Sequence, residues 1–118
     1  YIMHPIRVAQ AVWAQGEAHR IVAILHDVVE DSPWTTIMLC EEEFAPDVIA
    51  AVEAMTKRKG EGYMDYLGRV AADPIARAVK IADLSDNMDV NRMVGDEGEE
   101  QRRARYGQAL RFLCQRRA

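Results

Sequence analysis

Apolar residues recur along most of the chain at intervals of three and four, the spacing that places them on one face of an α-helix. The clearest stripes are Ile6, Val8, Ala9, Val12 and Trp13, then Ile21, Ile24, Leu25 and Val28, then Val48, Ile49, Val52 and Met55. No segment alternates apolar and polar residues between hairpin turns, as a half-buried β-strand does. The pattern predicts an all-α fold, a single helical bundle over 1–118.

Proline, glycine and capping residues divide the chain into predicted helices. Pro5, Pro46 and Pro74 suit the first turn of a helix, where the missing N–H costs nothing, and Thr35 suits an N-cap. The polar segment 57–62 contains two glycines and predicts a loop. The predicted helices cover 5–15, 17–30, 36–44, 46–55, 63–72, 74–93 and 97–115.

Composition narrows the class of protein. The chain has 118 residues, 49% of them hydrophobic, and a formal net charge of -4. It is rich enough in apolar side chains for one folded domain, and it lacks the positive field that drives binding to nucleic acids. Its two cysteines, Cys40 and Cys114, lie too far apart for a zinc-module spacing. We expect a domain with reduced thiols that binds no nucleic acid.

No apolar run approaches the ~18 residues that a bilayer-spanning helix needs. We therefore expect a cytoplasmic protein without membrane contact. Because the first residue is Tyr1 and not Met, we also expect an upstream N-terminal segment. The sequence leaves the oligomeric state open.

The segment 25–31 concentrates the chemistry. At about 100° per residue, one arc of a helix would carry four polar side chains, His26, Asp27, Glu30 and Asp31. Acidic residues alone are typical of a solvated helix face. The adjacent His26 and Asp27 can instead reach one divalent metal, and the two carboxylates one turn later can orient a water molecule.

A second polar cluster lies in the predicted helix 74–93. Lys80, Asp83 and Asn87 share one helix face, and Asp83 has apolar neighbours. A carboxylate in such surroundings needs a partner. Two partners are possible: Lys80, in a salt bridge within the helix, or a metal shared with His26 and Asp27.

His4, directly before Pro5, is the remaining candidate ligand. A single histidine at such a position is often a turn or capping residue. Together with His26, Asp27 and Asp83 it would complete a set of two histidines and two aspartates. Such a set suits Mn²⁺, Fe²⁺, Co²⁺ or Zn²⁺.

Four stretches together resemble the successive motifs of the HD-domain guanosine polyphosphate 3′-pyrophosphohydrolases. This family includes the hydrolase domain of the Rel/SpoT stringent-response enzymes and the Mesh-type small alarmone hydrolases. The stretches are Tyr-Ile-Met-His-Pro-Ile-Arg-Val-Ala at 1–9, His-Asp-Val-Val-Glu-Asp-Ser-Pro at 26–33 with Thr35, Met-Thr-Lys at 55–57, and Val-Lys-Ile-Ala-Asp at 79–83 with Asn87 and Met88. They occur in the family's order and span most of the chain.

The resemblance implies a helical HD fold and an enzyme that removes the 3′-pyrophosphate of (p)ppGpp, leaving GDP or GTP, by means of a metal-activated water. It implies one Mn²⁺ held by His4, His26, Asp27 and Asp83. Glu30 and Asp31 would handle the attacking water, and Asn87 would lie beside the metal and the substrate ribose. By looser alignment with the Mesh-type proteins, the substrate's phosphates and sugar would contact Lys59, Arg102 and Tyr106.

The chain departs from the resembling family at several positions. Where the long Rel/SpoT enzymes usually read Asp-Arg-Leu-His-Asn-Met-Arg-Thr, this chain reads Asp-Leu-Ser-Asp-Asn-Met-Asp-Val at 83–90. Leu84 and Asp86 replace a cationic and a ring-bearing residue, and Asp89 replaces an arginine. If Asp86 and Asp89 line the pocket, they repel the substrate's phosphates.

Alternatives remain at this stage. The chain could be an HD phosphohydrolase acting on another nucleotide, such as NADPH or an adenosine polyphosphate. It could also be a catalytically inactive nucleotide-binding regulatory module, although all the expected ligands are present. A purely structural helical domain would leave the His-Asp and Glu-Asp pairs of segment 26–31 unexplained.

Overall fold

The computed structural model describes residues 3–94 and 98–115, with side chains at all of these positions except 90–94 and 99. Helices account for most of this range, and it contains no β-strand, so the predicted all-α class is confirmed. A short 3-10 helix, Trp13–Gln15, follows the first α-helix. The α-helices are α1 (Met3–Ala11), α2 (Glu17–Asp31), α3 (Thr36–Glu41), α4 (Pro46–Met55), α5 (Tyr63–Ala72), α6 (Pro74–Val94) and α7 (Glu99–Gln115).

Most helix ends follow the expected local chemistry, but two differ. The first helix, predicted over 5–15, ends as an α-helix at Ala11 and is followed by the 3-10 helix Trp13–Gln15. The Thr35 hydroxyl accepts a hydrogen bond from the Met38 amide at 3.2 Å, as predicted for the N-cap of α3. That helix ends at Glu41 and not at residue 44, because Glu43 adopts the left-handed conformation with φ 62°. A left-handed residue directly after a helix stops its propagation. The predicted start of the last helix, residue 97, and the preceding residues 95–96 lie outside the described residues.

The longest helix, α6, lies at the centre of the bundle and packs against α1, α2, α4, α5 and α7. Its start is capped by Asp73, whose carboxylate accepts hydrogen bonds from the amides of Ile75 at 3.0 Å and Ala76 at 2.9 Å. Fully buried apolar side chains from each of these helices form one continuous core, among them Val8, Val22, Val52, Val70, Val79 and Leu113. Burial of each such side chain contributes about 1.5–3 kcal/mol before the loss of chain entropy.

Helix α2 is rotated from the orientation that its apolar stripe predicts. Ile24, expected on the buried side, is 47% exposed, whereas Val22, Ala23 and His26 are buried. The helix is covered by α1, α4 and α6, so a wide face is removed from water. This rotation turns His26, at one edge of the polar arc, into the interior.

Within the part of the chain that the structure describes, none of the helices combines the length and apolar character needed to cross a bilayer.

Candidate active site

Four candidate metal ligands meet where α1, α2 and α6 pack together. His4 comes from the first turn of α1, His26 and Asp27 from the third turn of α2, and Asp83 from the middle of α6. His4 is 2% exposed, His26 4% and Asp83 6%. Polar groups so deeply buried must be paired with one another or with a ligand, because unpaired burial is costly.

The ligand atoms of the four residues face one another. One atom each from His4, His26 and Asp27 lies within 4.8 Å of the others. Asp83 Oδ1 is 2.7 Å from His4 Nε2 and 3.7 Å from His26 Nε2. The structure therefore brings together the two histidines and two aspartates that the sequence nominates.

The hydrogen bonding of His26 leaves one ring nitrogen directed at this cluster. Its Nδ1 lies 3.3 Å from the carbonyl oxygen of Val22, and since a carbonyl only accepts, Nδ1 carries the proton. Its buried Nε2 has no hydrogen-bond partner among the described residues. A buried nitrogen without a partner, next to two carboxylates and a second imidazole, is the arrangement a divalent metal satisfies, so these four residues fit a metal ion.

The charges of the cluster also favour a cation. The hydrogen bond from His4 to Asp83, opposed by burial and reinforced by Asp86, raises the pKa of His4 to about 9. Burial alone would raise the pKa of Asp83, but the two histidines and Lys80 outweigh it and hold that pKa far below its usual range. The carboxylate of Asp83 therefore stays ionised and attracts positive charge.

Lys80 is one of the two partners that the sequence left open for Asp83, the other being a metal. Its Nζ donates to Asp83 Oδ2 at 3.1 Å, while Oδ1 of the same carboxylate faces the histidines. Its ammonium group also lies 5.5 Å from the ring centroid of Tyr66. Burial would lower the pKa of Lys80, but Asp83, Tyr66 and Glu30 together outweigh it and raise the pKa. The salt bridge and the contacts to the histidines therefore use different oxygens of one carboxylate.

The cluster opens into a cavity of about 520 Å³. Glu30 and Asp31, at the end of α2, and Asn87, one turn beyond Asp83 on α6, line it as predicted from the sequence. Desolvation raises the pKa of Glu30; Asp83 and Asp27 add to this, and Lys80 opposes it. A carboxylate with a raised pKa binds a proton more readily near neutral pH.

The cations that line the cavity differ from those that the alignment nominated. Lys57, Lys80 and Arg105 line it, whereas Lys59 and Arg102 do not. Tyr106 lines the cavity, as the alignment predicted. Tyr63, at the start of α5, lines it as well, although the sequence assigned it no role. Arg102 is directed along α7 towards Gly98, where an added Cβ would meet its guanidinium. A loop between α4 and α5 carries Lys57 and Lys59, so helical spacing could not tell which of the two faces the cavity.

A clamp beneath this loop explains the position of Lys57. Arg69 donates to both carboxylate oxygens of Glu61, each at 2.7 Å, and to the Thr56 carbonyl at 2.9 Å. Two further carbonyls at the end of α4, those of Glu53 and Ala54, accept from Arg69 as well. The guanidinium thus ties both ends of the loop to α5.

Asp86 and Asp89 do not line this cavity, so the condition under which they would repel the substrate's phosphates is not met. Asp86 Oδ2 is 2.6 Å from His4 Nδ1, and its Oδ1 accepts from Arg7 Nε at 2.6 Å. Both aspartates line a separate groove between α1 and α6. Residues 86 and 89 are three apart and therefore share a helix face, and that face is turned towards α1. Leu84 does line the cavity.

Two curated proteins are similar to this chain. A probable GTP pyrophosphokinase of Mycobacterium leprae is 33% identical over 116 residues, which cover 89% of this chain and 14% of that protein. A guanosine-3′,5′-bis(diphosphate) 3′-pyrophosphohydrolase of Haemophilus influenzae is 29% identical over an alignment 127 residues long, which covers 97% of this chain and 18% of that protein. The chain thus spans less than a fifth of either relative, and it matches no protein-family model. These similarities confirm the resemblance seen in the motifs: over most of its length the chain is similar to one segment of each of these two proteins.

Proposed function

We propose that this chain hydrolyses the 3′-pyrophosphate of (p)ppGpp and releases pyrophosphate with GDP or GTP. The proposal rests on one observation. Two histidines and two aspartates converge beside a cavity that is lined by further carboxylates and by cations. The similarity to the Haemophilus influenzae protein, which is named a guanosine-3′,5′-bis(diphosphate) 3′-pyrophosphohydrolase, supports this nucleotide as the substrate.

A divalent cation, Mn²⁺ in first place with Fe²⁺, Co²⁺ or Zn²⁺ as alternatives, would be held by His4, His26, Asp27 and Asp83. When bound, such an ion neutralises phosphate charge and acidifies water near neutral pH. The protein supplies the rest of the chemistry through the cavity walls.

In this proposal Glu30 and Asp31 accept the proton of the attacking water. They lie three and four residues beyond Asp27, so they follow it by one helical turn and face the same cavity. The water oxygen bonds to the phosphorus that is attached to the ribose 3′ oxygen. The bond between that phosphorus and the 3′ oxygen breaks, and the 3′ oxygen keeps the electron pair and takes up the proton that the carboxylates accepted. Asn87, which lines the cavity from α6, can donate and accept hydrogen bonds at the ribose.

The polyphosphate needs positive charge, and the cavity provides it on two sides. Lys57 extends from the loop and Arg105 from α7, while Lys80 lies deeper beside Asp83. Because Asp86 and Asp89 are turned towards α1, they add no carboxylate to the wall that faces the phosphates. The rings of Tyr63 and Tyr106 supply flat apolar surface for the sugar and base.

The direct test is to incubate the metal-free chain with ppGpp, pppGpp, pppApp and NADPH, each with and without Mn²⁺, and to identify the products. We expect GDP and pyrophosphate from ppGpp only with the metal, and a loss of activity in His26→Ala. A matched control is His19→Ala, which removes a histidine of the same helix that does not belong to the group of candidate metal ligands. Faster release of phosphate from NADPH, or turnover of pppApp alone, would replace the guanosine assignment. Absence of turnover of all four, despite Mn²⁺ binding, would refute a hydrolase acting on these nucleotides.

A further inference from the structure

We propose that Asp86 and Arg7 act as a positioning pair for His4: they fix its ring so that Nε2 faces the metal cluster. The inference rests on the proposed function for the identity of the ion. The contact between Asp86 and His4 itself depends only on the packing of α1 against α6.

The contacts form a continuous chain from solvent to the cluster. Arg7 is partly exposed and donates from Nε to Asp86 Oδ1 at 2.6 Å and from Nη2 to Oδ2 at 3.1 Å. The same Oδ2 is 2.6 Å from His4 Nδ1. On the other side of the imidazole, Nε2 is 2.7 Å from Asp83. Each ring nitrogen of His4 therefore has a carboxylate of its own.

The geometry gives the two carboxylates different tasks. An imidazole that donates its Nδ1 proton to a carboxylate keeps that proton when a metal displaces the proton on Nε2, so the Nε2 lone pair would then be available to the metal. Asp86 holds this proton from outside the cluster. Asp83, whose oxygens reach His4, His26 and Lys80, faces the space among the ligands.

Arg7 makes Asp86 effective in two ways. Its planar guanidinium binds the carboxylate through two hydrogen bonds, which restrict the carboxylate's rotation. Its positive charge also balances the carboxylate, so Asp86 adds little net negative charge behind His4. Arg7 and His4 lie three residues apart on α1, on one face of the helix, and they hold the same carboxylate of α6.

This arrangement explains a departure of the sequence. Asp86 replaces a ring-bearing residue of the usual Rel/SpoT pattern, and sequence reasoning placed its charge near the phosphates. In the structure the carboxylate of Asp86 instead contacts His4 Nδ1, the ring nitrogen that faces away from the metal cluster, and pairs with Arg7.

The test compares the variants Asp86→Ala, Asp86→Asn and Asp89→Ala. Mn²⁺ affinity is measured by electron paramagnetic resonance of the free ion, and the Nδ1 proton of His4 is observed in the metal-free protein by ¹H–¹⁵N correlation. We expect Asp86→Ala to weaken Mn²⁺ binding by about 10–100-fold, the usual cost of removing a partner of a ligating histidine, and to abolish the slowly exchanging Nδ1 proton signal. Asp86→Asn keeps an oxygen that accepts this proton, so it should lose less affinity and retain the signal.

Asp89→Ala is the charge-matched control, because Asp89 carries the same charge and lines the same groove as Asp86, whereas the His4 ring nitrogens bond to Asp86 and Asp83. If all three variants weaken Mn²⁺ binding equally, the effect is one of charge and the positioning role is refuted. If Asp86→Ala does not fold, Arg7→Gln replaces it. Weaker Mn²⁺ binding by Arg7→Gln than by Asp89→Ala supports the pair, and equal binding refutes it.

The proton signal separates this inference from the proposed function. A wild-type chain that binds no Mn²⁺ contradicts the proposed function. In that case a protected Nδ1 proton that disappears in Asp86→Ala still supports the contact, and its absence in the wild type refutes it.

Discussion

At one end of the cavity the polar side chains are buried between helices, whereas at the other end the cations stand on a loop and on the surface of α7. His4, His26 and Asp83 are at most 6% exposed, and their contacts join α1, α2 and α6. Lys57 and Arg105 are exposed. The comparison separates the proposed metal end, which is part of the core, from the proposed phosphate end, which is attached to it.

This difference predicts different consequences of substitution. A change at the metal end leaves a buried charge without its partner, which costs about 3–5 kcal/mol of stability. A change at the phosphate end removes a solvated charge, whose contribution to folding is about 0–1 kcal/mol. Metal binding and folding should therefore change together, while substrate affinity should change without either.

The largest effect is expected for Asp83→Asn. The amide keeps the shape of the carboxylate but removes the negative charge that His4, His26 and Lys80 share. Mn²⁺ affinity should fall by more than about 100-fold, because loss of a ligand costs more than the 10–100-fold typical of an outer partner. The free energy of unfolding should fall by about 3 kcal/mol or more, measured by urea denaturation of the metal-free protein.

The control for this variant is Asp65→Asn, an exposed aspartate in the first turn of α5 that does not line the cavity. A variant Asp83→Asn that binds Mn²⁺ as tightly as this control would remove Asp83 from the metal end.

The second effect is expected for Glu30→Gln. Its side chain lines the cavity beyond the metal ligands, and the amide preserves hydrogen bonding but cannot accept a proton. kcat should fall by about 100-fold or more, with Mn²⁺ affinity unchanged. A parallel loss of bound metal would place Glu30 among the ligands, and the boundary between the two ends would shift.

A smaller effect separates the two lysines of the loop. Lys57 lines the cavity and Lys59 does not, although both are exposed. Lys57→Ala should raise the KM for ppGpp by about 10-fold, equivalent to the loss of one charge-assisted contact, with little change in kcat. Lys59→Ala, the matched control, should leave KM within about 2-fold. The opposite order would restore the residue that the alignment nominated.

The metal end could be predicted from the sequence because its information is local. His26 and Asp27 are adjacent, and the apolar neighbours of Asp83 signal burial. Helical periodicity and capping residues also predicted the elements that bring them together. The residues gave the ligand grouping only as one possibility, since spacing left Lys80 as another partner of Asp83, and in the structure Asp83 lies close to both Lys80 and His26.

The phosphate end and the direction of Asp86 could not be predicted in this way. Whether Lys57 or Lys59 faces the cavity depends on the path of the loop, which Arg69 and Glu61 set from opposite sides. The partners of Asp86 depend on the rotation of α6 relative to α1, and a helical pattern gives faces without saying which helix covers them. The exposure of Ile24 has the same origin.

The smallest expected effect tests whether the two ends are independent, by loosening the loop through Glu61→Gln. Arg69 holds the pKa of Glu61 down at about 2, below the ordinary value of 4.5. A carboxyl group with a lowered folded-state pKa stabilises the fold above its unfolded pKa, and that stabilisation is lost as the pH falls towards 2. The Tm difference between wild type and Glu61→Gln should therefore be present at pH 7 and vanish near pH 2. It should be small, because the pair is partly exposed to solvent. At pH 7 the variant should show a modestly higher KM for ppGpp and the same Mn²⁺ affinity, since its contacts lie at the loop and not among the metal ligands. A fall in Mn²⁺ affinity comparable to the rise in KM would mean that the loop and the buried cluster form one unit.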